Sequence, residues 1–227
     1  MVVFLSGFAS DMSGTKATLL HEACKAAGQA YLRLDYSGHG QSGGDFADGT
    51  IGAWTEDAAL IITEVTANKP LLLIGSSMGG WISLLLAKRF SARLTALLLI
   101  APAPDFAADL IEPNLQPAQR EALATQGFFH PPSAYGPPAP ITQKLLDDSR
   151  HHLVLRAPIH ITVPVRILHG MNDPDVPWQR SLILAERLES ENVRLIFVKD
   201  GDHRLSRDQD LQLLTQTLAT LLAEDSS

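Results

Sequence analysis

The feature that most constrains this chain is Gly75-Ser76-Ser77-Met78-Gly79-Gly80, set between the apolar run Leu71–Ile74 and a helix-forming stretch, Trp81–Phe90. A short continuous apolar run bounded by glycine suits a strand buried on both faces of a parallel sheet. A chain that passes from such a strand directly into a helix must turn sharply. The residue at the apex is then held in a strained conformation, and its neighbours two positions away must be tiny. Ser77 has Gly75 and Gly79 at those positions, whereas Ser76 has Ile74 and Met78, so the flanks select Ser77. The helix behind the turn aims free backbone N–H groups at the same point, which suits a developing oxyanion. Ser77 is therefore expected to be a nucleophile.

Apolar, β-prone runs alternate with helix-period segments through the rest of the chain. Strands are expected at Val2–Leu5, Ala30–Leu34, Leu71–Ile74, Thr95–Ala101, Val165–His169 and Val193–Val198. Helices are expected at Gly14–Ala27, around Trp54 to Val65, and at Trp81–Phe90, Gln179–Leu188 and Arg207–Leu222. The last of these carries Ser206 and Gln209 in capping-box spacing. This alternation predicts an α/β fold, a mostly parallel sheet with helices on both faces. The 227 residues fit a single domain, 1–227. One segment, about 107–163, breaks the rhythm and holds a run dense in proline from Pro131 to Pro140. Proline cannot join a central ladder, and so long an excursion between core strands reads as a lid insertion. The first strand begins at residue 2 with no hairpin ahead of it, so the first N-terminal strands are expected to be missing and the true start to lie upstream of Met1.

Composition narrows the partners. The chain has 18 Lys and Arg against 25 Asp and Glu, a net charge of −7, and no basic stripe, which excludes a nucleic-acid partner. No apolar run approaches the roughly 18 residues of a membrane span, and the start has neither the charge nor the length of a signal peptide, so the expected location is cytoplasmic. The single cysteine, Cys24, shares a helical face with Ala17 and Leu20 and reads as a buried apolar residue.

A nucleophilic serine needs a base, and the base needs an acceptor that fixes its tautomer. In turns of this kind the chain order is serine, acid, histidine. Asp173 heads the loop after the strand Val165–His169, with Asp175 as its rival, and His203 follows the strand Val193–Val198. Both lie just past strand ends, where a parallel sheet gathers its site. His169 is expected to orient the acid loop. His39 sits in a glycine-rich loop, His21, His130 and His160 read as surface or packing residues, and His151-His152 lie in the insertion. A second oxyanion donor is expected from the loop after the first strand, so the N–H groups of Phe8 and Met78 form the expected pair. Phe128, Phe129, Tyr135 and Trp178 are expected as apolar walls for a substrate. Gly38-His39-Gly40-Gln41-Ser42-Gly43 matches a dinucleotide fingerprint in letters, but more glycines follow where a helix should open, so NAD is not expected.

Together these residues resemble the α/β-hydrolase fold, and the resemblance goes further than the superfamily. Gly7-Phe8 with Ser13-Gly14-Thr15-Lys16-Ala17, Asp35-Tyr36-Ser37-Gly38, Gly75–Trp81, His169-Gly170-Met171, Val176-Pro177-Trp178 and Asp202-His203-Arg204 are similar to the mitochondrial palmitoyl-protein thioesterases of animals, also known as mycophenolic acid acyl-glucuronide esterases. The resemblance implies Ser77, Asp173 and His203 as nucleophile, acid and base. It also implies a substrate that is a fatty-acyl thioester, on a small molecule or an acylated protein, or an acyl-glucuronide ester. Neither cofactor nor metal is called for. A non-catalytic small-molecule receptor on the same fold is the alternative, since fold does not fix function.

Overall fold

Alternation within the apolar strands decides how the layers stack. Along β1 (Val2–Leu5) and β3 (Leu71–Ser76) every residue is buried, so the sheet is covered on both faces. Val3, Leu5, Leu71 and Leu73 point into one core with Trp54 and Trp81, while Val2, Phe4, Leu72 and Ile74 point into the other with Leu20 and Leu218. That is the two-residue period of a strand read on both sides. Helix α2 (Ile51–Thr66), helix α3 (Met78–Arg89) and helix α6 (Gln179–Arg187) cover the first face, and α1 (Thr15–Ala26) and α7 (Asp208–Glu224) the second. The computed structural model describes residues 1–131 and 138–224.

With β2 (Tyr31–Arg33), β4 (Leu94–Ile100), β7 (Val165–Gly170) and β8 (Val193–Val198), these strands form one six-stranded sheet in the order β2-β1-β3-β4-β7-β8. Every neighbouring pair is parallel. The carboxyl ends of β1, β3, β7 and β8 therefore open on the same edge, and the loops that follow them meet there. Cys24 is fully buried in α1, and burial pushes its thiol up to about 11.

Two helix starts differ from expectation for clear local reasons. Helix α3 begins at Met78 and not at Trp81, because Gly79 and Gly80 are helical residues packed against backbone. A Cβ on Gly79 would stand 2.1 Å from the Leu5 carbonyl oxygen. Helix α7 begins at Asp208, and the box expected from Ser206 and Gln209 is displaced by one residue. Asp210 accepts the Arg207 N–H at 3.2 Å and the Arg207 guanidinium at 2.8 Å, while the Ser206 hydroxyl turns back to the Arg204 carbonyl. Inside the insertion, a small antiparallel pair of β5 (Phe128–Phe129) and β6 (Ile141–Thr142) flanks the proline run, with α4 (Pro117–Gln126) before it and α5 (Gln143–Ser149) after. Neither strand contains a proline.

The insertion leaves the sheet through a π-helical turn at Ala107–Ile111 and is tied back by buried charge. Fully buried Asp105 accepts the N–H groups of Val154 and Leu155 at 2.8 and 3.0 Å. Burial raises its pKa more than those bonds and Arg156 lower it. Arg180 of α6 bonds both the Pro104 carbonyl and Asp109, at 2.7 and 2.8 Å.

Candidate active site

Ser77 lies between β3 and α3 with φ 55° and ψ −119°, a region that non-glycine residues rarely occupy. Two flanking glycines make that bearable: a Cβ on Gly75 would meet the Gly79 carbonyl oxygen at 2.3 Å. The turn is further pinned by the Ser77 N–H to Ile100 at 2.9 Å and by the Ala103 N–H to the Ser77 carbonyl at 3.1 Å.

From Ser77 a continuous row of hydrogen bonds runs into the protein. The Ser77 hydroxyl lies 2.9 Å from His203 Nε2, and His203 Nδ1 lies 2.7 Å from Asp173 Oδ2. A carboxylate oxygen can only accept, so Nδ1 carries the proton and Nε2 is left to accept from the serine. Asp173 has no solvent-exposed side-chain surface. Its Oδ1 accepts the N–H groups of Asp175 and Val176 at 2.9 and 2.8 Å, and its Oδ2 also faces His169 Nε2 at 3.1 Å. Burial alone would raise the Asp173 pKa. The bonds from His169 and His203, the His203 charge and the Val176 N–H outweigh that and hold it well below the usual carboxylate range.

His169 fixes the acid from behind. It is fully buried, and its Nε2 faces two acceptors, Asp173 and the Val176 carbonyl, so Nε2 carries the proton. Nδ1 accepts from the Ser181 hydroxyl at 2.7 Å. Asp175, the rival acid, is exposed and gives only its backbone N–H to the row. Asp202 accepts the Leu205 N–H and so shapes the histidine loop. Asp173, Asp175 and His203 offer ligand atoms within 4.8 Å of one another, the described group with the spacing for a metal. Asp173 and His203 are already engaged in the row.

The loop after β1 lies against the serine, since a Cβ on Gly7 would sit 3.3 Å from Ser77 Cβ. Among the described residues, neither the Phe8 N–H nor the Met78 N–H has a hydrogen-bond partner. Both Phe8 and Met78 border the cleft that holds Ser77 and His203, which encloses about 660 Å³.

The expected walls need correcting. Phe128 pairs in the small hairpin, is 36% exposed and packs on His130. Phe129 turns into the core, and Trp178 stacks edge-on against Phe197, 5.1 Å away. None of the three borders the cleft, and Tyr135 lies outside the described residues. The apolar wall is instead Ala103, Phe106, Leu110, Ile111 and Ile141, with the ring of Phe8 4.9 Å from Phe46 and 6.2 Å from Phe106. The adjacent Leu110 and Ile111 at the start of the insertion were the available signal. Which way they face depends on the π-helical turn, and spacing alone does not give that.

The remaining motifs are structural. Asp35 accepts the N–H groups of Met12 and Gln41 at 2.6 and 3.0 Å, and Gly40, at φ 50°, leaves no room for a Cβ beside that carboxylate. The glycine-rich loop is thus a clasp, and α2 opens beyond it under a Thr50 cap. His39 is buried among Tyr36, Phe46 and Trp54, and His160 pairs with Glu189 at the surface.

A serine, histidine and buried acid on three loops at one edge of a parallel sheet also agree with known proteins. The family model described as serine aminopeptidase, S33, matches residues 1–152. The mouse mitochondrial palmitoyl-protein thioesterase ABHD10 is 39% identical over 97% of this chain and 74% of its own length. The chain belongs to the S33 family of α/β-hydrolases. Among solved structures, mouse alpha/beta hydrolase domain-containing protein 10 superposes with a TM-score of 0.89 at 38% identity, over 98% of this chain and 89% of that one. A protein from Agrobacterium vitis S4 superposes with 0.94 at 44% identity, over 97% and 87%. The chain is a serine hydrolase by family, homologous to thioesterases, and no described helix is long and apolar enough to cross a membrane.

Proposed function

We propose that the protein hydrolyses carboxylic esters or acyl thioesters through an acyl-enzyme on Ser77, with fatty-acyl thioesters and acyl-glucuronide esters as the substrate classes its resemblance implies. The observation that carries this reading is the unbroken row Ser77–His203–Asp173, with spacings of 2.9 and 2.7 Å. His203 Nε2 takes the hydroxyl proton as Oγ attacks the acyl carbonyl, and the oxyanion that forms is held by the Phe8 and Met78 N–H groups. His203 then gives the proton to the departing oxygen or sulfur, and the C–O or C–S bond breaks. Water, activated by the same imidazole, attacks the acyl-enzyme, and the acid product leaves Ser77 as it began. Asp173 keeps the imidazole in the required tautomer and stabilises its cation. The insertion serves as the lid over the acyl group, because its first residues supply the apolar wall.

The test is hydrolysis of p-nitrophenyl esters and acyl thioesters from about two to sixteen carbons, with wild type beside Ser77→Ala. Losing such a nucleophile costs on the order of a millionfold in turnover. A peak at long thioesters that vanishes in Ser77→Ala supports the thioesterase reading. A peak at short esters keeps the mechanism and removes the fatty-acyl substrate. A folded wild type that binds acyl ligands without turning over any of them would instead make it a receptor.

A further inference from the structure

The cleft beside Ser77 has two unlike walls. One is the apolar wall of Phe106, Leu110 and Ile111, suited to an acyl chain. The other is built from the start of α1 and the loop that carries His203, and two basic residues, Lys16 and Arg204, border the cleft there. Arg204 follows His203 directly, so this second wall lies on the side of the base, where the leaving group collects its proton.

Lys16 is an unusual cation. Its ammonium donates to the Arg204 carbonyl at 2.6 Å, and among the described residues no carboxylate lies within ion-pair distance of it. Burial, and then the neighbouring Arg204 charge, push its pKa down to about 8, against the weaker opposing pull of Asp202 and Asp210. A half-buried Lys16 ammonium, without a carboxylate partner among the described residues and beside a second cation, is a cost that an anionic ligand would offset. Two acids also border the cleft, and neither is paired with Lys16. Asp11 accepts both the N–H and the hydroxyl of Ser13, and Asp175 belongs to the acid loop beside His203.

We infer that Lys16 and Arg204 form a leaving-group subsite that recognises a carboxylate carried by the alcohol or thiol half of the substrate. This rests on the proposed ester or thioester hydrolysis and adds a selectivity to it: the apolar wall takes the acyl group and the cationic wall the anion. A carboxylate held there places the departing oxygen or sulfur next to His203 Nε2, where the proton must be delivered.

The test uses a matched pair, the S-butanoyl thioester of 3-mercaptopropionic acid and that of 3-mercaptopropionamide, which differ in the charge of the leaving group. Calorimetric titration of the Ser77→Ala protein reads binding without chemistry, and initial rates of the wild type read turnover. The acid should bind at least about fivefold more tightly than the amide, and the preference should shrink towards unity with added salt. Lys16→Gln and Arg204→Gln should each reduce it, and Lys16→Arg should restore most of it. Arg204 is exposed, so its variant tests the idea without disturbing the core should Lys16→Gln fail to fold. Equal binding of the two thioesters would overturn the subsite, as would a Lys16→Gln protein that weakens both alike, the result expected of a mere clasp on the histidine loop. Tighter binding of the acid with no turnover of either thioester by wild type would keep the subsite and overturn the hydrolase reading.

Discussion

At Ser77 the chain accepts a φ of 55° because Gly75 and Gly79 give up their side chains. Gly79→Ala would force a Cβ against the Leu5 carbonyl, and overpacking against backbone costs about 2 kcal/mol or more. The variant should melt several degrees lower and lose activity even in the folded fraction, which thermal denaturation with parallel assays will show. Asp173 makes a prediction with a definite sign. Its folded pKa is depressed, so its contribution to stability is complete above the ordinary carboxylate value of about 4 and is lost as the pH falls below that. The melting-temperature gap between wild type and Asp173→Asn should therefore narrow from pH 6 to pH 3; a constant gap would mean that the carboxylate is not stabilised by the two histidines. His169 touches Asp173 and not Ser77, so His169→Gln should lower kcat about tenfold with KM little changed, and steady-state kinetics separates that from a general loss of folded protein.

On the scale of single elements, caps and walls were harder to read in the sequence than the turn. The spacing of Ser206 and Gln209 is a sound capping pattern, yet Asp210 takes the role because its carboxylate reaches both the Arg207 N–H and guanidinium. Asp210→Ala should thus destabilise the protein by about 1 kcal/mol, and Ser206→Ala by much less, as chemical denaturation can measure. Phe128 and Trp178 do not border the cleft for a related reason. An aromatic in a loop has an apolar ring whichever way it points, and its direction was fixed by partners distant in sequence, His130 for one and Phe197 for the other. The insertion's attachment is equally invisible, since Asp105 gains its meaning from partners some fifty residues on, the N–H groups of Val154 and Leu155 among them.

At the scale of the molecule more is legible in the sequence, because the constraints on the sheet are local and repeated. Apolar runs such as Leu94–Ile100 can be satisfied only between two helical layers, and the odd and even residues of β1 and β3 divide between the two cores accordingly. Once the strands are parallel, the ends of β3, β7 and β8 must share an edge, so the order of Ser77, Asp173 and His203 along the chain already implied that their loops meet. Spacing could not supply the closeness of the contacts, the second histidine's hold on Asp173 or the cationic wall. The most direct measurement of the central claim is intact and peptide-level mass spectrometry of the protein quenched during turnover of a slow acyl ester. The account predicts a burst of alcohol and an acyl adduct on Ser77, absent from Ser77→Ala and long-lived in His203→Ala if it forms there at all. Turnover with no adduct, or an adduct on another residue with Ser77→Ala still active, would contradict it.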